Sequence, residues 1–437
     1  MIINRKKIWS LSWPLIIANF TIPLVGLTDT VIMGHMPSSL YLAAIAIGGI
    51  VFNFMYAGLN FLRMSTTGIV AQKLGANNFE EVFFSLLRPL LIAFIIGISL
   101  FFFKSYLYDL SLYVLNPNHE IQKFYKEYLF VRMLGLPAGL LNIVFLGWFF
   151  GMQKTKSVIL QLMVINLVNV FSSLYLAVYL DYGIYGVALG SVLAQVSGLF
   201  LSIIIFINYF KILNFDLFKL SKLLNIKGFF NLFSISKNLF LRTMLLVSVQ
   251  AYLIKKAGLI GVDELAAMEV LLVIFALSSY TLDAFAHAAE STVGVSIGAK
   301  NKRNIYKSIK NTTELALIFS LIVGVILYVS DYYIIAIFTD INVLRDLTIQ
   351  VWALVVITPF VSMLAFQLDG IFIGATLAKE MRNCIIFSSI IFYLTIEYFI
   401  ENSLNLKSLY SCFLLFLILR GVFLTIYLPR VFKLVKN

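Results

Sequence analysis

The sequence predicts an all-α integral membrane protein with twelve transmembrane helices in two pseudo-symmetric six-helix lobes. Three observations predict it: the composition, the long apolar runs and an internal repeat. Of the 437 residues, 61% are hydrophobic and only 12% are charged, with a mean hydropathy of +0.96. A water-soluble chain of this length needs more polar surface to cover its core, whereas lipid solvates apolar side chains directly.

Apolar runs of about 20 residues, the length that crosses a bilayer as a helix, are separated by polar or glycine-rich turns. The ten-residue alternating segments of a membrane β-barrel are absent from the sequence, so a bundle of helices that satisfy their own backbone hydrogen bonds is the remaining interpretation. The twelve predicted spans begin near Ile8, Leu40, Phe84, Tyr128, Ser157, Tyr185, Phe230, Glu264, Asn311, Leu347, Cys384 and Leu406.

Basic residues cluster on alternate predicted loops. The N-terminal Arg5, Lys6 and Lys7 fall on the same side of the membrane as the lysines around residue 220 and those of the tail. The positive-inside rule makes this side cytoplasmic. We therefore predict a multi-pass protein of the inner (plasma) membrane with both termini in the cytoplasm. Because the basic residues are dispersed over loops, the net charge of +12 predicts no nucleic-acid partner.

An internal repeat relates the two halves of the chain. The string QKLGANN aligns with SIGAKN at Gly75 and Gly298, and GWFFGMQKTK aligns with GIFIGATLAK at Gly151 and Gly374. Both matches have the same offset of 223 residues. Each half holds an even number of spans, so the halves share one orientation and are related by an axis along the membrane normal.

The repeat predicts a domain organisation. We expect an N-terminal six-helix lobe over residues 1–210, a cytoplasmic linker over 211–229 and a C-terminal six-helix lobe over 230–437. Two such lobes facing a shared cavity are typical of transporters that work by alternating access.

Motifs of enzymes and ATP-driven pumps are missing from the sequence. The three histidines do not have metalloprotease spacing, and no glycine-rich phosphate loop ends in Gly-Lys-Ser or Gly-Lys-Thr. We therefore predict that the protein is not an enzyme, needs no cofactor and takes its energy from an ion gradient.

Asp29 is a lone carboxylate in the middle of the first apolar span, SLSWPLIIANFTIPLVGLTDTVIMG. An ionised group at this depth costs several kcal/mol unless it is paired or faces a cavity, so it predicts an ion or substrate site. The alternative is a buried carboxylate capped by the neighbouring Thr28 and Thr30.

A second polar cluster is predicted in the C-terminal half. Asp283, His287 and Glu290 are spaced so that they lie along one face of a helix. Such a stripe does not face lipid, and Arg242 and Asp369 on other spans are candidate partners. These five residues form either a relay for the coupling ion or an ion-pair network that fixes helix packing.

Several strings of the chain resemble the DinF-like branch of the multidrug and toxic compound extrusion (MATE) family. They are PLVGLTDTVIMGHM, FLRMSTTGIVAQKLGANN, FLRT, YTLDAFAHAAE and FQLDGIFIGATLAKEMRN, and the resemblance runs from Trp9 to about Arg420. It implies a twelve-helix exporter with two lobes around a central cavity, driven by inward flow of protons or Na⁺.

The resemblance also implies roles for individual residues. Asp29 matches the first-helix carboxylate that takes up the coupling ion, and Pro14 matches the proline about which that helix bends. Asp369 matches a tenth-helix carboxylate of a second ion site, and Glu290 lies in the motif of the eighth helix. The remaining residues of the first-lobe site are Asn166, Asn169, Ser173 and Ser191.

Ser173 stands where the family often has a second carboxylate. Asp29, Asn169, Ser173 and Ser191 then offer oxygens to a cation but only one formal charge, so we favour proton coupling, with Na⁺ at these four residues as the alternative. The predicted function is a secondary active exporter, acting as a monomer, that antiports lipophilic and often cationic small molecules against protons. A flippase for a lipid-linked precursor is the other alternative, although only Arg63, Arg132 and Arg242 are candidates to hold a diphosphate.

Overall fold

A computed structural model describes residues 3–34, 36, 38–212, 226–401 and 404–435. Over these ranges the regular structure is helical, and no strand is present. The helices are α1 (Arg5–Gly34), α2 (Ser39–Leu59), α3 (Phe61–Gly75), α4 (Phe79–Phe102), α5 (Lys104–Leu115), α6 (His119–Arg132), α7 (Leu136–Gly151), α8 (Thr155–Leu174), α9 (Gly183–Ile212), α10 (Ile226–Ile260), α11 (Val262–Gly298), α12 (Lys302–Val329), α13 (Asp331–Phe338), α14 (Asn342–Gly374), α15 (Ala378–Glu401), α16 (Leu406–Tyr427) and α17 (Pro429–Lys433). A 3₁₀ turn, Met133–Gly135, joins α6 to α7, and a π-helical turn, Tyr175–Tyr179, extends α8.

The long helices correspond to the predicted spans when α2 is taken with α3, and α6 with α7. In the described part of the chain, ten helical segments are long and apolar enough to cross a membrane. The other two long helices, α1 and α15, carry charged residues in their first turns. Most of the predicted linker, residues 213–225, lies outside the described residues, and its flanking helices end at Ile212 and begin at Ile226.

The helices group into two compact units. Unit 1 contains Met1–Ile16, Ala71–Asn77 and Ser234–Asn437, and unit 2 contains Ile17–Val70 and Asn78–Phe233. The helices α1 and α3 are thus divided between the units, which a division by chain order does not predict. In α1 the boundary between the units falls two residues after Pro14. Because proline has no N–H group, Pro14 leaves the carbonyl of Ser10 without its helical hydrogen bond.

Glycines bring α7 against α3 in unit 2. A methyl group added at Gly147 would lie 2.5 Å from the carbonyl oxygen of Arg63, and one at Gly151 would lie 2.9 Å from that of Thr67. Only a residue without a side chain permits this approach. The Thr67 hydroxyl uses it to donate a hydrogen bond of 3.1 Å to the Gly147 carbonyl.

The same pattern recurs in unit 1, between α14 and α11. A methyl group at Gly370 would lie 2.3 Å from the Ala286 carbonyl oxygen, and one at Gly374 would lie 2.3 Å from that of Glu290. Both contacts reproduce those of unit 2 with an offset of 223 residues on each helix. The repeat in the sequence therefore records a repeated helix crossing.

The remaining apolar side chains divide between core and lipid-facing positions. Unit 1 has a core in which α10, α11, α14, α15 and α16 meet, with buried aromatic residues such as Trp352, Phe392 and Phe413. Other aromatic side chains point outward, such as Phe171 and Phe200 in unit 2. Lipid solvates such side chains, so their exposure is ordinary for a membrane protein.

Candidate functional site

Asp29 lies in the C-terminal half of α1 and is 1% exposed within unit 2. The Ser191 hydroxyl of α9 donates to its Oδ2 atom at 3.4 Å. Its other carboxylate oxygen, Oδ1, is buried and has no hydrogen-bond partner. Buried carboxylate oxygens are normally paired, so this unpaired atom indicates a position for a proton or a cation.

Three further predicted residues surround Asp29. The Asn169 amide of α8 donates to the Ser191 hydroxyl at 3.1 Å and to the Ser173 hydroxyl at 3.5 Å. The side-chain oxygen of Asn169 is also buried without a partner. These four side chains, Asp29, Asn169, Ser173 and Ser191, form what we call the Asp29 cluster.

Close packing of α8 and α9 assembles the Asp29 cluster. A methyl group at Gly190 would lie 2.4 Å from the Ser173 hydroxyl, and one at Gly186 would lie 2.6 Å from the backbone nitrogen of Ala177 in the π-helical turn. These two glycines therefore permit the helix approach that brings Ser173 of α8 and Ser191 of α9 to the same carboxylate.

Asn166 contacts α1 at a different level. Its amide donates to the backbone carbonyl of Thr21 at 3.0 Å. Thr21 lies about two turns before Asp29 on α1, at 1.5 Å rise per residue. Asn166 therefore holds α8 against α1, whereas Asn169 and Ser173 reach the carboxylate region.

The Asp29 cluster suits a small cation. Two of its oxygens lack hydrogen-bond partners, and the two serine hydroxyls add acceptor capacity. Hard cations take oxygen ligands of these kinds, and a proton needs only one of them. The cluster supplies a single formal negative charge, as the sequence predicts, so its oxygens alone do not decide between a proton and Na⁺.

Arg132 is a member of this site that sequence reasoning did not assign to it. It ends α6 and lines a small cavity together with Tyr56, Asn169 and Ser191. Its positive charge acts on the Asp29 carboxylate. Arg132 is 103 residues from Asp29 along the chain, so the sequence gives no signal that the two lie near each other and indicates Arg132 only as a candidate for holding a diphosphate.

A second polar cluster lies in unit 1. The guanidinium groups of Arg242 on α10 and Arg420 on α16 both donate to the Oδ2 atom of Asp369, the latter at 2.7 Å. All three side chains are buried. Of these, Arg420 was not predicted from the sequence, because an arginine in a late span gives no indication of its partner.

The three predicted residues of α11 lie near this cluster or beside one another. Asp283 interacts electrostatically with Arg420. The Nδ1 atom of His287 lies 3.1 Å from the Oε1 atom of the buried Glu290. The stripe predicted on α11 therefore lies inside unit 1: His287 contacts Glu290, and the charge of Asp283 acts on Arg420 of the group around Asp369.

Comparison with known families identifies this architecture. The family model MatE matches residues 14–175 and 239–400, one segment in each half of the chain. The chain belongs to the MATE family. The resemblance predicted from the sequence is thereby confirmed, and MATE proteins are membrane transporters rather than enzymes.

Relatives and solved structures agree with this assignment. The DNA damage-inducible protein F of Escherichia coli (strain K12) is 31% identical over 429 residues, which are 96% of this chain and 91% of that protein. The probable multidrug resistance protein NorM of Bacillus subtilis (strain 168) is 30% identical over 131 residues, 30% of this chain and 29% of that protein.

Crystal structures of a MATE protein in a bent and in a straight conformation each match with a TM-score of 0.87 at 17% identity. They cover 98% and 99% of this chain and 96% and 97% of the matched chains, respectively. At 17% identity the likeness shows the fold alone. It confirms the all-α transmembrane fold predicted for this chain.

Proposed function

We propose that the protein is a secondary active multidrug exporter that antiports lipophilic, often cationic, small molecules against protons taken up at Asp29. The observation that carries this proposal is the buried Asp29 carboxylate with one oxygen unpaired. Export of several drugs is supported by the relative named a probable multidrug resistance protein. The family membership supports an alternating-access carrier.

Proton coupling is favoured over Na⁺ coupling by the chemistry of the cluster. Apart from Asp29, its members are an amide and two hydroxyl groups, which are neutral. A buried Na⁺ ion needs enough negative charge to offset its own, since desolvated charges are costly. One carboxylate satisfies a proton completely by forming a covalent O–H bond.

Protonation removes the charge of Asp29, so α1 no longer needs to keep an ionised carboxylate in contact with polar groups. We propose that α1 bends about Pro14 when this happens, and that the change displaces bound substrate outward. Pro14 supports this because its missing N–H group weakens the helix at that point. Similar MATE structures described as bent and straight support two conformations of the fold.

We further propose the cellular setting. The protein acts as a monomer in the plasma (inner) membrane, with both termini in the cytoplasm and without a cofactor. The alternation of basic loops along the sequence supports this orientation.

Transport by reconstituted protein tests the proposal. Liposomes containing wild type or Asp29→Asn would be loaded with a fluorescent lipophilic cation, and efflux would be followed under a pH gradient or a Na⁺ gradient. We expect the pH gradient alone to drive efflux by the wild type, and Asp29→Asn to match protein-free liposomes.

A matched control is Asp181→Asn, which removes an exposed carboxylate of the same unit at a residue with φ of 55° that asparagine tolerates. It should transport as the wild type does. Efflux driven only by a Na⁺ gradient would exclude proton coupling, and full activity of Asp29→Asn would exclude Asp29. If neither gradient moves the dye, binding of a labelled lipid-linked precursor becomes the measurement that decides between the exporter and a flippase.

A further inference from the structure

A small cavity in unit 2 connects the Asp29 cluster to a fixed positive charge. Its volume is about 20 Å³, room for about one water molecule, and its walls include Asn169, Ser191 and Arg132. Ser191 also donates to Asp29, so the guanidinium and the carboxylate border the same group of polar atoms. The charge of Arg132 acts on Asp29, and the charge of Asp29 acts on Arg132.

Aromatic side chains hold Arg132 in this position. Its guanidinium lies 4.6 Å from the ring centre of Phe52 and 5.4 Å from that of Tyr128, and it donates a hydrogen bond to the Tyr128 hydroxyl. Phe52 and Tyr128 are buried. Cation–π contacts with buried rings are stronger than exposed ones because water does not compete. The positive charge is therefore fixed beside the cluster rather than carried by a mobile side chain.

Two glycines make room for the tyrosines of this arrangement. A methyl group at Gly48 would lie 2.4 Å from ring carbons of Tyr128, and one at Gly139 would lie 2.2 Å from the Tyr56 hydroxyl. Tyr56 lines the same cavity as Arg132. The backbone is thus shaped to accept the side chains that surround the guanidinium.

We propose that Arg132 is a tethered counter-ion of Asp29, which fills the electrostatic role that a bound Na⁺ ion would have and thereby excludes Na⁺ from the site. When Asp29 is ionised, the guanidinium already offsets its charge. A Na⁺ ion on the free oxygens of Asp29 and Asn169 would place a second cation beside a single carboxylate, and the two cations would repel each other. This inference rests on the proposed function, since it explains which ion the Asp29 site accepts.

The proposal predicts that neutralising Arg132 creates a Na⁺ site. The measurement is the apparent melting temperature of purified protein, titrated with NaCl against choline chloride at constant ionic strength. A ligand that binds the folded state raises this temperature with its concentration. We expect no difference between the two salts for wild type, and Na⁺-specific stabilisation of Arg132→Gln, with an apparent Na⁺ affinity raised about tenfold or more.

Three variants serve as controls. Arg132→Lys keeps the positive charge and should remain insensitive to Na⁺. Arg63→Gln removes a different guanidinium of unit 2, which is buried and stacks on Phe150, and should also show no Na⁺ response. Combining Arg132→Gln with Asp29→Asn should abolish the response. If Arg132→Gln does not yield folded protein, Arg132→Met keeps an apolar stem against the aromatic rings and replaces it.

Two results would overturn the proposal: Na⁺-specific stabilisation of the wild type, or a folded Arg132→Gln or Arg132→Met protein without it. These results are independent of the transport assay. A wild type that fails to export under a pH gradient contradicts the proposed function, whereas the salt comparison reports only whether Arg132 excludes Na⁺ from the cluster.

Discussion

Replacing Gly48 with alanine tests whether Tyr128 must occupy its position beside Arg132. The added methyl group would lie 2.4 Å from two ring carbons of Tyr128. Carbon atoms in contact are normally about 3.5–4.0 Å apart, so the ring would have to move by about 1 Å or more. Tyr128 is 0% exposed and its hydroxyl accepts from Arg132, so this movement disturbs the guanidinium.

The neighbouring Gly49 provides a matched control on the same helix, because a methyl group there meets no atom within 4 Å. Replacing glycine with alanine inside a helix stabilises it by up to about 1 kcal/mol, and both variants gain this amount. Only Gly48→Ala also overpacks the interior, which costs about 1–3 kcal/mol. The free energies of unfolding should therefore differ by about 1–3 kcal/mol in favour of Gly49→Ala.

Thermal unfolding of the purified proteins at one fixed scan rate measures this difference, since unfolding of large proteins is often irreversible. A difference of 1 kcal/mol corresponds to about 2–4 °C for a domain of 150–250 residues. We expect Gly48→Ala to melt several degrees below Gly49→Ala and to export more slowly under a pH gradient. If Gly48→Ala melts at or above Gly49→Ala, then Tyr128 is not held in place by its neighbours, which contradicts this prediction.

Two further variants test the packing of unit 1. Asp369→Asn leaves two buried guanidinium groups without their shared anion and should lower the free energy of unfolding by about 3–5 kcal/mol. The control is Asp340→Asn, which alters an exposed ion pair. Equal melting temperatures of the two variants would show that the buried network contributes no stability. Gly75→Ala would place a methyl group 2.0 Å from a carbonyl oxygen of α11, so we expect little folded protein in size-exclusion chromatography. The control Gly26→Ala, whose methyl group meets nothing within 4 Å, should fold normally. Equal yields of the two variants would contradict the close approach of α3 and α11.

The features that the sequence predicted are those with a local physical signature. Composition and run length predicted the helical membrane fold because bilayer thickness sets the length of each span. The offset of 223 residues predicted two halves with the same orientation. The structure adds the physical reason for the matched glycines, which is that the same close helix crossing occurs in each unit. Asp29 is recognisable in the sequence because an ionised carboxylate inside an apolar span is costly unless it is paired or faces a cavity, and its role in ion coupling stays a prediction.

The features that were missed depend on contacts between distant parts of the chain. Arg132 reaches the Asp29 cluster through the packing of α6, and Arg420 reaches Asp369 from the last long helix. An arginine in an apolar span indicates that a polar or charged partner is required, but the sequence does not indicate which residue that partner is. The sequence also gives no signal for the division of α1 and α3 between the two compact units, because this division depends on contacts between distant residues.

The two units share a repeated scaffold but differ in the chemistry of their buried carboxylates. In unit 2, Asp29 has one oxygen without a hydrogen-bond partner, and neutral groups complete the cluster. In unit 1, one oxygen of Asp369 accepts hydrogen bonds from two guanidinium groups.

A cation that bound Asp369 would have to displace or face two positive charges that are themselves buried, which is costly because each would lose its anionic partner. The geometry therefore favours the ion-pair network over the relay among the two roles predicted for this second cluster. Through these hydrogen bonds the cluster around Asp369 joins α10, α14 and α16, whereas an oxygen of Asp29 has no such partner.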